Sequence, residues 1–109
     1  AVAHSLDIAA ISIASLSNIS ERRIFSLLSG EYNLPKFLVQ KAGLNSGFMM
    51  LQVTAAALVS ENKTLSHPAS IDSIPTGAGQ EDHVSMSPWA GRKLLQIIIL
   101  VIFLKNVYF

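Results

Sequence analysis

Glu81, Asp82 and His83 are three adjacent titratable residues, and they stand just before Ser85, Ser87 and Pro88, which mark the start of a helix. Two neighbouring carboxylates repel, which raises the proton affinity of at least one. The positive end of the following helix pulls in the other direction. Opposed influences of this kind are common at working sites. An acidic, solvated helix start with an exposed histidine accounts for the same residues without any chemistry, so the pattern alone leaves both readings open.

Other chemistries have less support. His67 and His83 can be combined with Asp72 or Glu81 on paper, but in no recognised metal-ligand spacing, and the chain has no cysteine. No metal site is expected. Ser46-Gly47 and Gly77-Ala78-Gly79-Gln80 are too sparse for phosphate loops, and no Gly-x-Ser-x-Gly elbow is present. Met49 and Met50 read as core fillers, and His4 as a packed or terminal histidine on an apolar helix.

The elements that must carry these residues read as all-α. Leu6, Ala9, Ala10, Ile13 and Leu16, then Ile24, Leu27 and Leu28, recur at helical spacing, predicting helix over 2–28. Ile8, Ile11 and Ile19 fall on other faces, so the first half is apolar nearly all round and is expected to be buried. Ser20-Glu21 fits either a fresh helix start or a polar turn within one long helix. Ser29-Gly30 and Asn33-Leu34-Pro35 stop the helix. A connecting segment follows, with extended character expected at Phe37-Leu38-Val39. A second helix is placed at about 46–65, capped by Asn45 or Ser46, with Phe48, Leu51, Ala55, Leu58, Val59 and Asn62 on one face. Residues 66–86 hold two prolines, two glycines and several Ser, Thr and Asp residues, and read as a loop of a length often reserved for function. A third helix, about 87–105, carries Trp89, Leu94, Leu95 and an apolar run to Leu104 that is short for a membrane span.

A chain of 109 residues supplies one modest core at most, and half of it is apolar with only 14% charged. That excess of apolar surface suits a piece that packs against other chains. We therefore expect 1–109 to be a single partial domain of a larger helical fold. Lys and Arg are scattered and net charge is near zero, so no nucleic-acid surface is expected. The lack of cysteine fits a reducing cytoplasm, no secretory leader is expected at the N-terminus, and no membrane association is expected.

The run Gln80-Glu81-Asp82-His83-Val84-Ser85-Met86, with Ser66-His67-Pro68-Ala69-Ser70-Ile71-Asp72-Ser73-Ile74-Pro75-Thr76 before it and Gly43-Leu44-Asn45-Ser46-Gly47 further upstream, resembles the aromatic amino acid ammonia-lyase family. The likeness is closest to its histidine ammonia-lyase branch and spans about Ser5 to Leu95; the residues from Ile97 onward do not match. The resemblance implies a bundle of long helices assembled as a homotetramer. It also implies elimination of ammonia from L-histidine to give trans-urocanate, with a 4-methylidene-imidazol-5-one (MIO) group as the electrophile. Glu81 matches the family glutamate that faces the polar end of the substrate, where phenylalanine-specific members have an Asn-Gln-Asp-Val-like run. Gln80 and His83 are implied to support substrate binding. Where family members commonly show Ser-Ala-Asn, this chain has Gly77-Ala78-Gly79. The Ala-Ser-Gly triplet that forms the electrophile does not occur; Ala69-Ser70-Ile71 and Leu28-Ser29-Gly30 are the nearest runs. The chain is thus expected to hold one wall of a site and to be inactive alone. The alternatives are an inactive helical assembly piece, or a phenylalanine- or tyrosine-acting relative.

Overall fold

The computed structural model describes residues 1–80 and 83–108. It contains three helices, α1 (Val2–Leu28), α2 (Met49–Leu65) and α3 (Ser87–Tyr108), and no β-strand among the described residues. The molecule is a rod of 67 × 21 × 17 Å. At 1.5 Å per residue, α1 alone spans about 40 Å of it.

The helices run up, down and up. Ile24 and Leu28 of α1 meet Ala55 and Val59 of α2 and Leu104 of α3 at one end, with Phe37 and Leu58 packed against them. Asp7 of α1 lies near Lys93 of α3 at the other end. α1 and α3 are therefore parallel neighbours, with α2 returning between them. The long loop after α2 falls at the Asp7 end.

Burial along α1 follows a strict alternation of three and four residues: Ala3, Asp7, Ala10, Ala14, Ser17, Glu21, Ile24 and Leu28. This is the 3.5-residue seam of helices that wind around each other. Its first half is made of small and polar side chains, which let α3 approach closely. Ala90, Lys93, Ile97 and Leu104 supply the facing seam on α3. The expectation that α1 is buried all round is corrected by this arrangement. Ile8, Ile11, Leu16 and Ile19 are exposed, because the other two helices cover only one side of it. His4 is likewise exposed rather than packed. Ser20 starts no new helix; its hydroxyl bonds back to the Leu16 carbonyl at 3.2 Å within one continuous helix.

The α1–α2 connection departs further from expectation. Phe37 and Leu38 have φ of 54° and 52°, so only Val39 is extended. The second helix begins at Met49, not at residue 46, and neither Asn45 nor Ser46 caps it. Asn45 instead donates its amide to the Gln40 carbonyl, and the Phe48 N–H reaches across to the Phe37 carbonyl at 3.1 Å. Gly47 makes this crossing possible. Its φ is +53°, and a Cβ there would lie 2.4 Å from the Phe37 carbonyl oxygen. Gly47→Ala is expected to lower stability by about 1–3 kcal/mol, through the positive φ and the backbone clash together. A urea titration followed by circular dichroism reads that shift, and an unchanged midpoint would contradict it.

At the third helix, the Ser85 hydroxyl accepts the Ser87 N–H at 3.4 Å, and the Met86 carbonyl takes the first helical bond, from Ala90. Pro88 falls in the first turn as expected. The helix runs on to Tyr108, past the expected end at 105. By length and composition alone, α1 and residues Ser87–Asn106 of α3 are long and apolar enough to cross a membrane.

Candidate active-site wall

The loop after α2 is built from its anchors outward. Asp7 projects from α1 with only 4% of its surface exposed. One carboxylate oxygen accepts the N–H of Ala69 at 3.1 Å and the other accepts that of Ser70 at 2.8 Å. Burial works against the charge on Asp7. The Ser70 N–H and hydroxyl, the Ala69 N–H and the nearby Lys93 ammonium more than offset it, and the carboxyl is held below its ordinary range. A folded-state value below the unfolded one means that this contribution is fully present above the ordinary carboxylate pKa. It is lost as pH falls through the lowered value. Lys93, buried on α3, donates to the His67 carbonyl. Ala69 is fully buried beneath these contacts, and the Asp72 N–H closes a turn onto its carbonyl at 3.1 Å.

Beyond this anchored turn the chain swings out and returns. Ser73 Oγ accepts the N–H of Val84 at 3.1 Å, tying the two sides of the loop together at its neck. Among the described residues between them, Ile74 to Gln80 and His83 are exposed. Gly77, Ala78 and Gly79 all have positive φ (61°, 57° and 84°), which makes a tight left-handed turn. The Gln80 N–H bonds to the Gly77 carbonyl at 3.1 Å to complete it. A Cβ on Gly79 would meet nothing within 4 Å, so its positive φ, not lack of space, is what favours glycine there.

Of the expected site residues, Gln80 and His83 are both exposed on this loop. Glu81, with its neighbour Asp82, lies outside the described residues. His67 faces solvent at the anchored turn, and among the described residues no group of three or more metal-ligating side chains gathers. Sequence reasoning passed over Asp7 and Lys93. The signal was there: a carboxylate inside an apolar helix is buried only when it has partners.

Two serines bear on the electrophile. Ser29 closes α1 with its hydroxyl on the Ser26 carbonyl, and Ser70 has its N–H fixed on Asp7 and is followed by Ile71. Neither lies in an Ala-Ser-Gly triplet. Elsewhere, an open cleft of about 680 Å³ is lined by Asn18, Ile19, Arg22, Arg23, Ser26, Leu27 and Tyr32. Arg22 there is paired to Glu21 at 2.6 and 2.7 Å and stacks over Phe25, so its charge is already engaged. None of the described residues of the 66–86 loop lines that cleft.

Comparison with known proteins places this arrangement. A family model described as aromatic amino acid lyase matches residues 1–102, further toward the C-terminus than the motifs alone suggested. The histidine ammonia-lyase of Aliivibrio fischeri is 61% identical over 94 residues, covering 85% of this chain and 18% of that protein. That of Caldanaerobacter subterraneus is 56% identical over 98 residues, covering 89% and 19%. Among solved structures, histidine ammonia-lyase from Trypanosoma cruzi superposes with a TM-score of 0.87 at 52% identity, covering 96% of this chain and 21% of that one. Tyrosine aminomutase from Streptomyces globisporus gives 0.90 at 35%, covering 96% and 20%. The chain spans less than a fifth of the length of the curated relatives it matches. This seam-packed helical rod, with the turn after α2 anchored on Asp7 and Lys93 and its sequence matched over residues 1–102, belongs to the aromatic amino acid lyase family.

Proposed function

We propose that this chain forms one wall of the active site of a histidine ammonia-lyase, which eliminates ammonia from L-histidine to leave trans-urocanate. The observation that carries the reading is the loop run from Gln80 to Met86, presented on a tied loop in a chain 61% identical to a histidine ammonia-lyase. Glu81 accepts hydrogen bonds from the substrate's ammonium or imidazole, a task suited to a carboxylate and poorly done by an amide. Gln80 and His83 border it. The family's electrophile, the MIO group, is supplied by residues other than these 109. The chain alone is therefore inactive.

Homotetrameric assembly and a cytoplasmic location belong to the same reading. The assembly is supported by the uncovered apolar faces of α1 and α3, where Ile8, Leu16, Leu95, Ile99 and Ile102 are exposed; the location rests on the cysteine-free sequence, which fits a reducing compartment. Those faces meet other helices rather than lipid, so this chain placed in a complete enzyme should not partition onto lipid vesicles.

The test is a chimera: the Aliivibrio fischeri enzyme with its matched segment replaced by that of this chain. Urocanate absorbance should rise on adding L-histidine to the chimera and stay flat with this chain alone. Activity from the chain alone would refute the one-wall reading; a folded but silent chimera would leave an inactive assembly piece as the answer.

A further inference from the structure

We propose that Asp7 and Lys93 are positioning residues: a clasp between α1 and α3 that fixes residues 67–70 and, through the Ser73–Val84 tie, sets where Gln80 and His83 stand. This rests on the site reading above and adds to it the part of the fold that holds the wall in place.

The geometry separates a clasp from an ordinary buried ion pair. Asp7 and Lys93 lie close enough to interact electrostatically, yet each spends its hydrogen bonds on the backbone of the loop. Asp7 takes two successive N–H groups, of Ala69 and Ser70, with its two oxygens. Lys93 takes the His67 carbonyl. Three consecutive peptide units are thereby held from two helices at once, by groups that are 4% and 5% exposed. A buried pair that served only the helix seam would turn toward its partner, and leave loop amides to water. Three residues beyond the clasp, Ser73 receives the Val84 N–H. Gln80 and His83 thus lie between the two ends of a tie that starts three residues from the clasp. A shift of the anchored turn moves Gln80 and His83 with it.

The experiment uses the same chimera and reads two quantities. Amide exchange, followed by mass spectrometry, reports the clasp whether or not the enzyme is active. Asp7→Asn keeps the side-chain size, but turns an N–H₂ group toward one of the two loop donors. Exchange at Ala69, Ser70 and Val84 should accelerate on the order of 10- to 100-fold, the range for losing a buried hydrogen bond to a charge. Amides of 10–28 and 94–104 should keep their rates. Lys93→Met should give the same local pattern, and Lys93→Arg should restore most of the protection. In the kinetic arm, the KM for L-histidine should rise about tenfold with little change in kcat, as expected when ground-state and transition-state contacts are lost together. A purely structural residue would instead reduce the active fraction and lower the apparent kcat at constant KM. The clasp is overturned by unchanged exchange at Ala69 and Ser70, or by uniform acceleration through the helices. Transmission to the wall is overturned if Val84 is unaffected or KM is unmoved. A chimera that forms no urocanate with Asp7 intact overturns the site reading, and the exchange pattern still decides the clasp.

Discussion

Glu81→Ala in the chimera is expected to reduce kcat/KM for L-histidine about 100-fold. A hydrogen bond to a charged group contributes about 1.5–3 kcal/mol, and each 1.36 kcal/mol is a factor of ten. The substrate brings an ammonium and an imidazole, both donors, and the carboxylate is the acceptor that the Gln80–Met86 run offers them. Glu81→Gln keeps one acceptor oxygen and loses the charge, so its loss should be smaller, about tenfold. The pair of variants also tests substrate choice. For a phenylalanine- or tyrosine-acting relative the amide would serve as well as the acid, and L-phenylalanine turnover would rise in Glu81→Gln. Steady-state rates on both amino acids, with melting curves to check folding, decide it. Parent-like rates for Glu81→Ala would remove this residue from the site.

Ile97→Ala should produce the largest loss of stability of any single change considered. Ile97 is fully buried on the α3 seam, facing the small residues of α1. Removing most of its side chain forfeits the transfer free energy and leaves a void that flanking alanines cannot fill, so the expected cost is about 3–5 kcal/mol. Leu104→Ala, at the Ile24–Leu28–Ala55–Val59 end, should cost a similar amount. Ile99→Ala is a control on the same helix: Ile99 is 57% exposed and should change the midpoint little in the free chain. In an assembled enzyme, where other helices cover that face, Ile99→Ala should become costly. Chemical unfolding of the free chain and of the chimera measures both.

Much of the helical layout was legible in the sequence. The extent of α1, the stop at Ser29-Gly30, the loop character of 66–86 and the Pro88 start all follow from local chemistry. The register of burial did not. Ile8, Ile11, Leu16 and Ile19 are larger and more apolar than Ala3, Ala10, Ala14 and Ser17, yet the small residues take the seam. Close helix approach selects size over hydrophobicity, and a periodicity scan weighted by hydrophobicity points the wrong way on a helix that is apolar all round. Asp7 was hidden for another reason. Its partners, Ala69 and Ser70, are 62 and 63 residues away, and nothing local announces them. The start of α2 was misplaced because Gly47 gives the chain a left-handed step that removes Asn45 and Ser46 from capping positions. Gln80, Glu81 and His83 were legible only through their order, since three polar residues on a loop have no period to read.

The parallel pairing of α1 with α3 also dictates an order of assembly. Of its two partners α1 packs more extensively against α3, the later of the two in the sequence, and 58 residues separate the end of α1 at Leu28 from the start of α3 at Ser87. Of these two partners α2 emerges from the ribosome first, and α1 can close with it through Ile24, Leu28, Ala55 and Val59. Its seam of Ala3, Asp7, Ala10 and Ala14 then waits with no partner until α3 arrives. Contacts this distant in sequence form slowly and leave apolar surface uncovered in the meantime. Small and polar side chains in the waiting half of that seam keep the nascent helix less adhesive than isoleucine or leucine there would. The residues that let α3 dock closely at the end thus also protect α1 from the wrong neighbour before α3 is made.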